Sequence, residues 1–193
     1  MGTFQALGGH RINKPEILFR KLDLKQAEKF RQKFSGEQPD FGQFQLKVGQ
    51  IISVKQHPEA EHLYLLSIDC GEQQPRSIIA GLVKHYSPKE LQERRVIVLA
   101  NLKASEIRGF ASQGMVLVCE KRNNMELLDG TPFDIGQAVE VEGPKADPAE
   151  ITIDQFKAAR FRINDGRLMF DDRLCTIGSC PIETHLLKNG KVR

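Results

Sequence analysis

A mainly β fold, a small five-stranded Greek-key barrel, is predicted by three features of the chain. Five short apolar runs recur between Gln45 and Cys119, each bounded by turn residues. A glycine, Gly49, interrupts the first run, as at the bends that close small barrels. One short helical signal is inserted after the third run. That combination fits the oligonucleotide-binding (OB) type of barrel. A β-sandwich would call for roughly seven strands, more than the principal runs supply.

Ahead of the barrel, residues 1–40 read as a helical connector. Asp23 followed by Gln26 resembles a capping box, and Leu24, Ala27, Phe30 and Phe34 recur at helical spacing. The opposite face carries Lys25, Lys29, Arg31 and Lys33, either a solvated face or one that docks a phosphate or partner. Gly36 and Pro39 end the segment.

Within the barrel domain, residues 41–143, strands are predicted at Gln45 to Val54, Leu63 to Cys70, Arg76 to Ala80, Arg95 to Ala100 and Met115 to Cys119. Weaker ones are predicted near Glu126 to Leu128 and Ala138 to Val141. Ser87-Pro88-Lys89-Glu90 places Ser at the cap, Pro at the first helical position and Glu at the third, predicting a helix to Gln92. From residue 144 a Pro-rich connector leads into a C-terminal subdomain. Thr152 and Gln155 predict a second capped helix from Phe156 to Phe161, and Asn164-Asp165-Gly166 predicts a hairpin joining Phe161–Ile163 to Arg167–Phe170. This tail is apolar enough to need a partner surface, and the barrel is the nearest.

The charge pattern restricts function. Net charge is +3, yet residues 41–150 carry 12 Lys/Arg against 15 Asp/Glu. A uniformly basic surface is excluded, so a polyanion must bind a local patch. No apolar run approaches the roughly 18 residues of a membrane span, and the opening MGTFQALGGHRI lacks the apolar core of a secretory signal. Four cysteines form no disulfide framework, and Cys175 and Cys180 lack finger-like partners, so the expected setting is reduced, intracellular and cytoplasmic. His57 and His62 in HPEAEH stand five apart with Pro58 between them, a poor zinc spacing. No phosphate loop, nucleophile elbow or Ser/His/Asp arrangement is present; no catalysis, metal or cofactor is expected.

A binding reading has more support. Asn101 to Met115 connects two strands and concentrates polar donors. Composition alone reads it as an ordinary polar connection, but loops held between rigid strands are where binding residues gather. Lys103 and Arg108 suit phosphates; Asn101, Ser112 and Gln113 suit base edges or ribose hydroxyls; Met115 suits an unstacked base. Arg94, Arg95, Lys121 and Arg122 are expected to join Lys103 and Arg108 on one rim. The scarcity of aromatics here argues for recognition of folded RNA shape over base stacking.

The blocks LKVGQI, HPEAEHLYLLSIDCGE, RSIIAGLV, NLKASEIRGFASQGMVL and IGQAVEVEG, in that order from Leu46 to Val141, resemble a known family. It is the tRNA-binding domain of endothelial monocyte-activating polypeptide II, of appendices to methionyl- and tyrosyl-tRNA synthetases, and of small bacterial dimeric tRNA-binding proteins. Residues 144–193 resemble the extra C-terminal subdomain of the polypeptide II branch, which imitates a second subunit on the barrel. GGHRINKPEILFRKLDLKQAEKFRQKFSG, residues 8–36, resembles the connector after the catalytic body of eukaryotic, particularly plant-like, methionyl-tRNA synthetases. The resemblance implies a non-catalytic appendix that binds the tRNA elbow without sequence specificity and delivers tRNA to a tethered or associated synthetase of methionyl type. It implies a monomer with a pseudo-dimer interface, and it places the binding loop on Asn101, Lys103, Arg108, Ser112, Gln113 and Met115. The alternative is a protein-interaction or cytokine-like fragment using an exposed first strand; the heptapeptide Lys47 to Ser53 has Gln50 where the signalling branch can carry arginine.

Overall fold

The computed structural model describes residues 40–142 and 148–193. The chain divides into units Met1–Glu37 and Gln38–Arg193, and the described residues all belong to the second. The connector helix expected from Asp23 lies outside them.

The strands in chain order begin with β1 (Leu46–Gln56), β2 (Tyr64–Asp69) and β3 (Arg76–Ala80). Helix α1 (Pro88–Leu91) precedes β4 (Arg95–Leu99), followed by β5 (Ser105–Ile107), β6 (Phe110–Ser112), β7 (Met115–Val116), β8 (Val118–Lys121), β9 (Asn124–Leu127) and β10 (Glu140–Val141). The tail adds α2 (Ile153–Ala158), β11 (Phe161–Asn164), β12 (Arg167–Phe170), β13 (Arg173–Ile177), β14 (Cys180–Pro181) and β15 (Asn189–Val192). A five-stranded antiparallel sheet in the order β3-β2-β1-β4-β7 curls into a nearly closed, OB-like barrel. Bridges from Lys47 to Ala138 and from Val96 to Asp129 help tie the later chain across it.

The bend in β1 is not at Gly49. Register slips between Ile51 and Ser53, leaving Ile52 unpaired and 44% exposed, the signature of a bulge. Gly49 answers a different need: a Cβ there would stand 2.6 Å from Ile68 Cγ2, so only glycine lets β1 lie this close over the barrel interior. The helix α1 forms as its cap predicts, with Glu90 accepting from the Ser87 N–H at 2.8 Å and the Ser87 hydroxyl at 2.6 Å.

Two apolar cores explain why β4 is the strongest apolar run in the sequence. Val96 and Val98 point into the barrel, with Ile51, Leu66, Ile68 and Ile78. Ile97 and Leu99 point outward, into a second core shared with Phe161, Ile163, Leu168 and Phe170 of the tail. A strand buried on both faces reads as a continuous apolar run because neither side needs polar residues. The expected strand Met115 to Cys119 behaves likewise but breaks at Leu117: Val116 and Val118 join the inner core, Leu117 and Cys119 the outer.

The tail is therefore built onto the barrel. Its last strand, β15, pairs with β8, and β13 pairs with β10. Phe44 sits 5.2 Å from Phe161 and 5.9 Å from Phe170. The buried Glu126 carboxylate on β9 accepts backbone N–H bonds from His185 at 2.6 Å, Leu186 at 3.0 Å and Leu187 at 2.7 Å. Asp165 and Gly166, both left-handed, make the expected hairpin turn between β11 and β12. Helix α2 stops at Ala158, earlier than expected, because Phe161 already begins β11.

Cys70, Cys119 and Cys175 are buried and Cys180 is exposed, all as free thiols. Burial pushes Cys70 and Cys119 up to about 11 and Cys175 up to about 12, so these three behave as apolar core atoms. Among the described residues no helix is long and apolar enough to cross a membrane.

Candidate nucleic-acid interface

The connection from Asn101 to Gly114 leaves β4, forms the small hairpin β5–β6, and returns into β7. Its two ends are fastened by Arg76 of β3, a residue that sequence reasoning did not single out. Arg76 Nη1 donates to the Ala100 carbonyl at 2.6 Å and to the Gln113 carbonyl at 2.7 Å. Glu72 holds the other side of the same guanidinium, accepting from Nε at 2.7 Å and from Nη2 at 3.0 Å. That hydrogen bonding, against the opposing effect of burial and with help from Lys47 at 3.2 Å, keeps the Glu72 carboxyl below its ordinary value. The sequence signal for Arg76 was slight: a lone arginine opening a strand, four residues after a glutamate.

The resemblance-derived residues separate into two classes. The side chains of Lys103 and Arg108 are exposed and have no ion-pair or hydrogen-bond partner among the described residues. Arg108 and Gly109 form the two-residue turn of β5–β6 with φ of 51° and 81°. Such turns favour Asn, Asp or Gly, and a non-glycine residue at positive φ is costly. That cost falls at the hairpin tip, where the guanidinium is exposed.

The polar residues are committed elsewhere. Asn101 Oδ1 accepts from the Gln45 N–H at 2.8 Å, while its Nδ2 donates to the carbonyls of Gln43 at 2.7 Å and Ala149 at 2.6 Å. Both ends of the amide are thus occupied in pinning the loop to the start of β1 and to the tail. Ser112 is 4% exposed, accepting from the Ile79 N–H and donating to the Gly114 carbonyl. Gln113 is exposed, but its Oε1 accepts from the Ser77 N–H at 3.1 Å. Asn101 and Ser112, expected at base edges, thus make hydrogen bonds that anchor the loop, and Gln113 makes one such bond. Met115 is half-buried against the outer core.

The basic residues expected on one rim are spread over several elements. Arg94 and Arg95 stand at the start of β4, whereas Asn101 follows its end, and a strand of that length separates the two by roughly 15–20 Å. Arg94 lies over the Tyr86 ring at 5.2 Å, and Arg95 Nη1 donates to the Phe133 carbonyl at 2.7 Å. Lys121 lies at the β8–β9 hairpin, at the end of β8 away from Met115 and the loop. Adjacency to one strand in sequence had concealed which end of it each residue occupies.

A second loop meets the hairpin. The Phe110 ring packs edge-on against His57 at 5.0 Å, joining the β1–β2 connection to the β5–β6 tip. His57 is buried, with Nδ1 accepting from the Glu59 N–H at 3.1 Å. Among the described residues no group of three or more His, Cys, Asp or Glu is placed to hold a metal ion. In OB-type barrels the loops after the first strand and ahead of the last are those that contact nucleic acid.

Residues 46–136 match the family model described as "Putative tRNA binding domain". They are a domain of the tRNA-binding family. As such the matched segment is a binding module, not a catalytic domain. The chain is 37% identical over 111 residues to a methionine–tRNA ligase of Pyrococcus horikoshii, covering 58% of this chain and 15% of the ligase. It is 50% identical over 72 residues to the cytoplasmic tyrosine–tRNA ligase of Danio rerio, covering 37% of this chain and 14% of that protein. It is 40% identical over 89 residues to the aminoacyl tRNA synthase complex-interacting multifunctional protein 1 of Cricetulus griseus, covering 46% and 25%. The chain thus spans a quarter or less of these curated relatives. The C-terminal domain of Plasmodium vivax p43 has a similar structure, with a TM-score of 0.73, 26% identity, and coverage of 80% of this chain and 99% of that one. That likeness covers more of the chain than residues 46–136.

Proposed function

We propose that the chain binds tRNA by its shape, at the elbow, without reading sequence, and brings it to a synthetase to which it is tethered or bound. The observation that carries this reading is the pair of unpartnered cations, Lys103 and Arg108, on a loop clamped by Arg76 within a domain of the tRNA-binding family. Unpaired cations on a rigid support suit phosphate contacts, which position a protein on RNA without encoding sequence. With the amide of Asn101 and the hydroxyl of Ser112 committed internally, few groups remain on this loop to discriminate bases. Gln113, Met115 and, at the far end of β4, Arg94, Arg95 and Lys121 are secondary in this assignment.

The methionyl-type partner and a cytoplasmic setting rest on relatives such as the P. horikoshii methionine–tRNA ligase and the cytoplasmic methionine–tRNA ligase of Caenorhabditis elegans. Delivery follows from tethering, which raises the effective concentration of bound tRNA near the catalytic body. The tail, covering the outer face of β4, supports a monomer in which it replaces a second subunit. The cytokine-like alternative loses ground because β1 is central in its sheet, with Val48, Gly49 and Ile51 buried.

A competition titration tests the reading. Unlabelled tRNAs of several sequences are expected to displace a labelled tRNA about equally, and duplex RNA of the same length to displace it poorly. Equal displacement by duplex RNA, or strong preference for one tRNA, would overturn shape recognition.

A further inference from the structure

Between β7 and α2, where barrel and tail meet, lies a cavity of about 440 Å³. Its apolar surface comes from Met115, Ile153, Phe156 and Val192; Lys157 and Lys191 stand on its rim. The side chains of both lysines are exposed and have no partner among the described residues. Arg193, also lining it, is paired with Glu120 at 2.6 Å. Among the described residues no Asp or Glu side chain lines the space while three cationic side chains do, so it favours an anion. Ile153 remains 38% exposed, an apolar side chain left open in a seam that is otherwise packed.

We propose that this seam is a nucleotide subsite for RNA, taking one unstacked base against Met115 and Ile153 with its phosphate on Lys157 and Lys191. The volume falls in the range of roughly 300–1,000 Å³ typical of ligand sites, and the lining is of the expected kind, mostly apolar with few polar groups. An apolar floor alone would accept any flat or greasy group; two free cations at its edge select one that carries negative charge. A base with its phosphate meets both demands, and the thioether of Met115 is a polarizable partner for a π face.

The subsite rests on the tRNA-binding reading and is physically continuous with it. The Ile151 N–H donates to the Asn101 carbonyl at 2.9 Å, and the Lys103 N–H donates to the Ile151 carbonyl at 2.8 Å. Ile153, at the start of α2, is therefore two residues from the ladder that fixes Lys103. A backbone bound at Lys103 needs only a short continuation to place a base in the seam.

The test uses the full chain with adenosine monophosphate and with tRNA. Methyl NMR is expected to show Met115 and Ile153 shifting with the nucleotide and not with inorganic phosphate alone. Ile153→Glu puts a negative group in the cavity at a helix start, where acids are tolerated; it is expected to abolish the Met115 shift. Ile153→Glu and Lys157→Ala/Lys191→Ala are each expected to weaken tRNA binding about five- to tenfold, the scale of losing one base contact. Unmoved methyls, or nucleotide binding with wild-type tRNA affinity in both variants, would overturn the proposal. If those variants bind as wild type while Lys103→Ala/Arg108→Ala does not, the subsite fails and the loop reading stands. If Lys103→Ala/Arg108→Ala is also silent, both fail.

Discussion

Arg108 shows how a local conformational cost points to function. At φ of 51° on a hairpin tip it occupies a position better suited to Asn or Gly. Arg108→Asn is expected to leave stability unchanged or raise it by up to about 1 kcal/mol, since it relieves the left-handed penalty, while weakening tRNA binding. Thermal melting and a binding titration read the two effects separately. A parallel loss of stability and affinity would make Arg108 a structural residue. The sequence marked the arginine as a phosphate ligand but not its place at a hairpin tip, because Arg-Gly is not a strong hairpin signal and the flanking residues SEI and FAS lack apolar alternation. For Asn101 and Ser112 it showed the hydrogen-bonding groups but not their partners inside the protein, because residue type announces such a group without announcing whether the protein itself uses it.

At the scale of elements, the loop owes its shape to a clamp outside it. Arg76 bonds both of the loop's ends and depends on Glu72 for orientation. Charge-assisted bonds of this kind contribute about 1.5–3 kcal/mol each where well shielded, and partial exposure lowers the sum. Arg76→Ala is expected to destabilise the protein by about 2 kcal/mol and to weaken tRNA binding without removing a phosphate contact. The Glu72 carboxyl is depressed below its ordinary value of 4.5 in the folded state. Its contribution to stability is therefore fully present above pH 4.5 and lost as the pH falls through the lower, folded-state value. Stability of the wild type against pH, compared with that of Glu72→Gln, checks this; identical curves below pH 4.5 would contradict it. The strands β1 to β4 were legible because burial imposes apolar runs on them. The edge hairpin β5–β6 and the last strand β15 were not, since their pairing is imposed from outside. In β15 the side chain of Val192 is buried, and Gly190 is required because a Cβ there would collide with Cys119 Sγ.

On the scale of the whole described unit, barrel and tail share one core, so the continuous apolar run of β4 was evidence of a covering layer as much as of a strand. What the sequence could not supply was the distribution of charge in space. Arg94 and Arg95 are near Lys103 in the chain, yet the length of β4 lies between them, and Lys121 stands apart at the β8–β9 turn. The basic patch is consequently small, and in a segment with more acids than bases a few cations must supply most of the attraction. That is the central claim, and the salt dependence of tRNA binding tests it most directly. Removing Lys103 and Arg108 together is expected to weaken binding at low salt and to lower the slope of log affinity against log salt by about 1 for each cation removed. An unchanged slope and affinity in that double variant, with Arg94→Ala/Arg95→Ala carrying the loss instead, would contradict it.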